Sequence, residues 1–291
     1  MLFVPQMWLK ERRKMSELSG YQIKHYTQDA QKRKEYWETG IGLNKVDNLT
    51  PSEYLLDIAR KHIEGEVPND ELEPMLHAYY DKCSPDMSDS FECDIVTKRI
   101  VDLLDQKSFT FSPQTLKSIH KYLFTDVLEK KVVGKFRDYN ITKAEPLLDG
   151  DTVNYGNWMM IQDLYEYDFE TEKAYHYSYP ITEKELEHFA DFISRIWQVH
   201  PFGEGNTRTT AVFTELYLND MGYDVDNEMF KENAVYFRGA LVRANYRNVK
   251  RHIDIDNSYL NRFFENLLMK KNNVLSMHDL QIAKGEAEYG K

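Results

Sequence analysis

The sequence predicts an all-α fold, mainly helical, that carries one small β-hairpin. Three observations predict it. Apolar residues recur at helical spacing along most of the chain, several of those runs open on capping signals, and the stretch from Phe136 to Asn157 departs from the pattern with β-prone residues around an Asp-Gly turn.

Ser52 to Glu64 carries Tyr54, Leu55, Ile58 and His62/Ile63 on one stripe behind a start signal at Thr50-Pro51. Gly65 and then Val67-Pro68-Asn69-Asp70 interrupt it. A second helix runs through Leu72, Met75, Leu76 and Tyr79. A third spans about Asp89 to Leu104, with Ile95, Ile100, Val101 and Leu104 as its stripe. Ser112-Pro113 opens a fourth, through Leu116, Ile119, His120 and Leu123. Tyr139-Asn140-Ile141-Thr142 and Thr152-Val153-Asn154-Tyr155 then flank Asp149-Gly150, a hairpin signal that Pro146 weakens. Trp158 to Phe169 reads as helix. Thr182 with Glu185 forms a capping box, and the stripe Leu186, Phe189, Ile193, Ile196 and Trp197 leads straight to His200. A further helix starts near Thr207-Arg208, carries Val212, Phe213, Leu216 and Tyr217, and stops at Gly222. The last helices cover Asn227 to about Asn245 and Ser258 to Met269, followed by a polar tail.

With 291 residues, 42% of them apolar, and 20 Tyr and 15 Phe, the chain can bury a sizeable core. A formal net charge of -11 argues against a protein that coats nucleic acid. Two cysteines, Cys83 and Cys93, lack partners at zinc spacing and read as free thiols. No apolar run is long enough to span a membrane. Met1 to Leu9 is apolar, but its basic residues (Lys10 to Lys14) follow it, the reverse of a signal peptide. A cytoplasmic protein is expected, with no nucleic-acid or membrane partner. The boundaries expected are an N-terminal extension at 1–48, a helical pair at 49–86, a main domain at 87–272 and a polar tail at 273–291.

The run His200-Pro201-Phe202-Gly203-Glu204-Gly205-Asn206-Thr207-Arg208 concentrates chemistry at the turn between two helices. The first amides of the second helix have no intrahelical acceptor, and the helix dipole points its positive end at the turn. Gly205 and Asn206 tolerate left-handed backbone that curls N–H groups inward, so a phosphate fits there. Arg208 adds a planar cation. Glu204 would repel phosphate unless a cation intervenes, and Mg²⁺ held by one carboxylate and phosphate oxygens resolves that conflict. His200 is placed to take a proton from a hydroxyl.

This run resembles the signature of Fic-domain proteins, His-x-Phe-x-Asp/Glu-Gly-Asn-Gly-Arg-x-x-Arg, at His200, Phe202, Glu204, Gly205, Asn206 and Arg208. The resemblance spans roughly Thr110 to Met269. It implies a protein adenylyltransferase that moves AMP from ATP to a Ser, Thr or Tyr hydroxyl of a target protein (AMPylation), with Mg²⁺. In that reading His200 is the general base and Glu204 holds the metal. Gly205, Asn206 and the Thr207 amide form the anion hole, and Arg208 meets the outer phosphates. Asn245 falls where the family has an adenine-contacting Asn, and it equally reads as a helix C-terminal residue. The hairpin, through Tyr139, Ile141, Thr152, Val153 and Tyr155, would be the flap that docks the target as an added strand. The partners implied are the nucleotide, the target protein and, where an oligomer forms, a second copy of the chain.

Two positions depart from the signature. Thr207 replaces its second Gly, and Ala211 stands at its second arginine. Those departures open a second class: a nucleotide-binding regulatory protein, or one that uses another nucleotide or transfers a phosphoryl group as Doc does. Ile58 to Val67 resembles the VbhA-like antitoxin that restrains Fic proteins, a toxin–antitoxin arrangement built into one chain. Glu64-Gly65 match its motif, while Arg60 stands at its Ser/Thr. Glu64 would then be inhibitory and lie near the nucleotide site, with Arg60 or Arg208 as its cation. The plainer alternative is an Arg60–Glu64 helical pair before a helix-stopping Gly.

Overall fold

In the computed structural model, residues 18–83, 87–106, 108–223, 225 and 227–282 are described. The apolar run at Met1 to Leu9, the basic run behind it and the end of the polar tail lie outside the described residues. The α-helices in chain order are α1 (Gln28–Asn44), α2 (Glu53–Ile63), α3 (Asn69–Tyr80), α4 (Ser88–Asp105), α5 (Pro113–Phe124), α6 (Ile161–Lys173), α7 (Glu183–Val199), α8 (Asn206–Asp220), α9 (Asn227–Asn245) and α10 (Ser258–Met269). Among the described residues, none is long and apolar enough to cross a membrane.

Local chemistry explains most of these boundaries. Ser52 and Ser112 accept from the amides of Leu55 and Thr115, so α2 and α5 start where an unpaired amide finds a hydroxyl. Thr182 and Glu185 close a reciprocal capping box at the start of α7. The far end of α7 is set by His200, whose φ of 48° and ψ of 59° turn the chain out of the helix.

Helix α1 has no apolar stripe that announces it in sequence. Thr27 caps it by accepting from the Ala30 amide at 3.0 Å. Its last turns carry Gly40 and Gly42, poor helix formers that here permit close packing. A Cβ at Gly42 would fall 2.5 Å from the backbone of Lys231 on α9, and one at Gly40 would fall 3.0 Å from the Thr97 carbonyl on α4. Helix α1 therefore packs backbone-close between α4 and α9, with Trp37 and Leu43 fully buried. The centre of the molecule is aromatic. Phe111, Phe169, Phe192, Phe213 and Tyr217 contribute rings from α6, α7, α8 and the segment before α5, with centroids such as Phe111–Phe169 at 4.8 Å and Phe111–Tyr217 at 4.6 Å. The fully buried rings among them each stabilise the fold by roughly 2–3 kcal/mol of apolar burial, and Phe111 is partly buried against them.

The expected β-hairpin is not formed. Among the described residues there is no strand, and the isolated bridge in the chain pairs Asn248 with Ile253 elsewhere. The stretch 139–157 is a long loop pinched at its base. Pro146, which has no N–H for a ladder, starts a 3₁₀ turn at Pro146–Leu148, and Asp149 and Gly150 follow with φ of 58° and 85°. Leu147, Leu148 and Val153 go into the core. The pinch is held by Glu145 N donating to Asp151 O at 2.9 Å and Gly150 N to Glu145 O at 3.1 Å. The next amide, Lys143 N, goes to the Thr152 hydroxyl at 3.1 Å where a ladder would use a carbonyl. Alternating β-prone residues were outweighed by the proline and by the apolar side chains it directs inward.

Candidate functional site

The nine residues from His200 to Arg208 fold into a turn that joins α7 to α8, and the side chains within it explain its shape. Asn206 clamps it. Its Oδ1 accepts from Phe202 N at 3.0 Å and its Nδ2 donates to Phe202 O at 2.8 Å. Gly205 precedes α8 with φ of 71°, and a Cβ there would lie 2.4 Å from the Phe124 ring, so both conformation and space require glycine. The first intrahelical bond at this end is Thr209 N to Gly205 O at 3.0 Å. The amides of Asn206, Thr207 and Arg208 come before it, which leaves the helix start suited to an anion.

His200 is buried, with its ring centroid 4.2 Å from Tyr155 and 5.1 Å from Trp197. Its Nδ1 lies 3.3 Å from the Trp197 carbonyl, which can only accept, so Nδ1 carries the proton and Nε2 keeps a lone pair. Burial, and then the charge of Lys143, push its pKa well below the ordinary histidine value. Arg238 and Arg137 act the same way, against the bond to Trp197. The ring is a neutral base held in one tautomer.

Glu204 projects outward. Its carboxylate is 65% exposed and lies 3.5 Å from Lys143 Nζ, on the loop 139–157. Around it, among the described residues, there is no group of three or more His, Cys, Asp or Glu side chains. One open carboxylate does not hold a resident metal. It does suit Mg²⁺ that arrives with water and phosphate as its other oxygen ligands. The Glu204 carbonyl accepts from His120 Nε2 at 3.2 Å, and His120 Nδ1 accepts from Gly134 N at 2.9 Å. His120 stacks on Phe202 at 3.8 Å, and burial lowers its pKa to about 4.

The remaining residues singled out from sequence are placed unevenly. Thr207 turns inward, where its hydroxyl accepts from Trp197 Nε1 at 3.0 Å. Arg208 is buried, its guanidinium directed at α1 and α4. Nη1 donates to Asn44 Oδ1 at 2.9 Å, Nη2 pairs with Glu92 at 2.7 Å, and Nε lies 2.8 Å from Asp47. The last is a close ion pair without hydrogen-bond alignment. Asn245 points its Nδ2 at α7 and the preceding turn, donating to the Ser194 hydroxyl at 2.8 Å and to Leu241 O at 2.9 Å. Ala211 is fully buried. Glu64 is engaged by Tyr21 Oη at 2.5 Å, Lys24 N at 2.8 Å and His25 N at 3.1 Å, bonds that lower its pKa. These partners are not Arg208 or His200, and Arg208 is engaged by a different set, Asn44, Asp47 and Glu92.

Of the loop residues, Tyr139 and Tyr155 reach the turn by side chain. Tyr139 is half exposed, and its hydroxyl lies where a Cβ on Gly203 would be 2.9 Å away. Ile141 is half-buried, and Thr152 stays within the loop, donating to Val153 O at 3.2 Å. Tyr155 lies against His200 and donates to Glu145 Oε1 at 3.4 Å.

Sequence reasoning passed over the residue that ties this loop to the turn. Arg137 donates to the carbonyls of His200 at 2.8 Å, Tyr139 at 2.5 Å and Val199 at 3.1 Å, and also to that of Gly156. Its own amide donates to Pro201 O at 2.7 Å. One guanidinium thus holds both stems of the loop against the base. It also passed over Lys143, Glu145 and Arg238. Glu145 is buried, accepts from Arg238 at 2.8 Å and has its second oxygen unpartnered. His120 did leave a signal: a histidine inside the apolar stripe of α5.

The turn and the helices around it match a known family. Residues 110–218 fit the model of the Fic/DOC family, so a Fic-family domain is supported over α5 to α8, including the whole run from His200 to Arg208. No curated protein matches the chain significantly. Among solved structures, the chain is similar to the N-terminal Fic domain of a Bartonella effector protein (Bep, VirB-translocated) from Bartonella sp. AR 15-3. That likeness has 19% identity and a TM-score of 0.49, and covers 63% of this chain and 83% of the other. The N-terminal FIC domain of Bep8 from Bartonella sp. 1-1C is similar at 17% identity and a TM-score of 0.48, covering 65% of this chain and 88% of that one.

Proposed function

We propose that this protein is a protein adenylyltransferase that moves AMP from ATP to a Ser, Thr or Tyr hydroxyl of a target protein. The observation that carries the reading is the placement of His200. It is buried one turn before a helix start suited to phosphate, with Nδ1 3.3 Å from the Trp197 carbonyl, and burial lowers its pKa. Nε2 takes the proton of the incoming hydroxyl, whose oxygen bonds to the α-phosphorus as the bond to the β-phosphate oxygen breaks and pyrophosphate leaves. The amides of Asn206, Thr207 and Arg208 stabilise charge that builds on the phosphoryl oxygens. Mg²⁺ bound at Glu204 with the nucleotide would neutralise phosphate charge. Arg137 fixes the carbonyl of His200 and so holds the base in place.

The N-terminal restraint in this reading holds the start of α8 through Arg208, which Asp47 and Glu92 from before the matched region engage, while Glu64 is occupied by Tyr21, Lys24 and His25. The same closure of Arg208 favours a second reading, a nucleotide-binding regulatory protein with another donor or no transfer.

Incubation with Mg²⁺ and each of ATP, GTP, CTP and UTP, followed by intact-mass and peptide mass spectrometry, separates the two. The first reading expects a nucleoside-monophosphate adduct with ATP that disappears in His200→Ala. An adduct from another nucleotide names a different donor. No adduct with any donor, in wild type and in Asp47→Ala/Glu92→Ala alike, removes the transferase reading.

A further inference from the structure

The turn contains a cation that it does not offer to a ligand. Arg208 is 3% exposed, and Asn44, Asp47 and Glu92 engage all three of its nitrogens. A phosphate held beside His200 therefore needs positive charge from outside the turn.

Two side chains bring such charge from separate elements. Lys143, on the loop 139–157, is 30% exposed and touches the Glu204 carboxylate at 3.5 Å. Arg238, on α9, is 26% exposed and donates to Glu145 Oε1 at 2.8 Å. The Tyr155 hydroxyl donates to that same oxygen at 3.4 Å, and the Tyr155 ring lies 4.2 Å from the His200 ring. Arg238 is thus linked to the base through two side chains, and Lys143 meets a carboxylate of the same turn. Both charges act on the His200 ring itself.

Their present partners leave them able to bind an anion. The Lys143–Glu204 pair is long and solvated, the kind that exchanges partners readily. Arg238 has five N–H donors in a planar fork. Buried Glu145 orients the fork through one of its nitrogens without enclosing it.

We propose that Lys143 and Arg238 form a two-sided clamp that binds the outer phosphates of the nucleotide beside His200. This rests on the nucleotide-transfer reading above and names the residues that recognise the donor's charge.

Isothermal titration calorimetry on the full chain with ATP and with AMP, in Mg²⁺, tests it. The variants are Lys143→Ala, Arg238→Gln and the pair; glutamine keeps an N–H for Glu145, and Lys143 is exposed enough for its removal to leave the fold intact. Each single variant is expected to weaken ATP by about tenfold, the loss of one charge-assisted bond, and AMP by less than about threefold. ATP affinity within about threefold of wild type in both single variants overturns the clamp. So does an equal loss for ATP and AMP, which would mark the two residues as shaping the site and not as reading outer phosphates. A wild-type protein that binds neither nucleotide removes the transfer reading itself, and the clamp with it.

Discussion

The two sides of the turn treat charge differently. Toward α1 and α4, Arg208 is buried under Asn44, Asp47 and Glu92, with the Phe124 ring 4.8 Å from its guanidinium carbon. Toward the loop 139–157, Lys143 and Arg238 stay partly exposed, each on a single carboxylate. A buried cation held by two hydrogen bonds and a close ion pair is a tether: it fixes where α8 starts relative to α1 and α4. A cation with one partner and access to water can change partners when a ligand arrives. Residue type alone does not separate the two roles, because Arg208 lies inside the signature and is the closed one.

Ala211 is the strongest test of that closure. It is fully buried, so Ala211→Arg, which would restore the second arginine of the signature, places a charge and a long side chain where neither fits. A destabilisation on the order of 3–5 kcal/mol is expected in urea unfolding. An unchanged midpoint would mean that the interior beside the turn has room after all, and the contrast between the two sides would fail.

Arg208→Ala comes next. It strands Glu92 and Asp47, which are 25% and 40% exposed, so water relieves part of the loss and about 3 kcal/mol is expected, the lower end for breaking a buried pair. If nucleotide affinity falls tenfold while urea stability is kept, Arg208 is a ligand contact and not a tether.

Acid probes the packing beneath the turn. Burial lowers the pKa of His120 and of His62 to about 4. The unfolded chain takes these protons near the ordinary value of about 6.5, the folded chain only near 4. Protons therefore favour unfolding across that window, and stability falls as pH drops through it, by up to about 3 kcal/mol per histidine as an order of magnitude. Urea midpoints measured from neutral pH down to about pH 4.5 should decline, and less steeply in His120→Gln, which keeps a polar group between Gly134 and Glu204. A parallel decline in both proteins would mean that His120 does not link the turn to pH.

What could be read from sequence divides along the same physical line. Start signals are local, so the Thr182–Glu185 box and the helix that opens at Ser112-Pro113 were legible. Helix α1 was not, because Gly40 and Gly42 work through the distant backbones of Thr97 and Lys231. The hairpin was read from alternation and an Asp-Gly turn, and lost to Pro146 and the burial of Leu147, Leu148 and Val153. In the site, the turn's clamp joins residues four apart and follows from composition. The partners of Arg208 stand as far as 164 residues away, and nothing local announces them.

The smallest expected effect sharpens the comparison most. Lys143→Ala removes a solvated pair of 3.5 Å and should change urea stability by less than about 0.5 kcal/mol. It also removes one of the charges that hold down the His200 pKa, second only to burial. The base should then take up its proton at a higher pH than in wild type, and the acid limb of the pH–rate profile should move upward. A fold left intact together with a shifted acid limb would show that the loop side of the turn controls chemistry and not stability. An unmoved limb would confine Lys143 to its pair with Glu204 and leave burial, with Arg238 and Arg137, to hold the His200 pKa down.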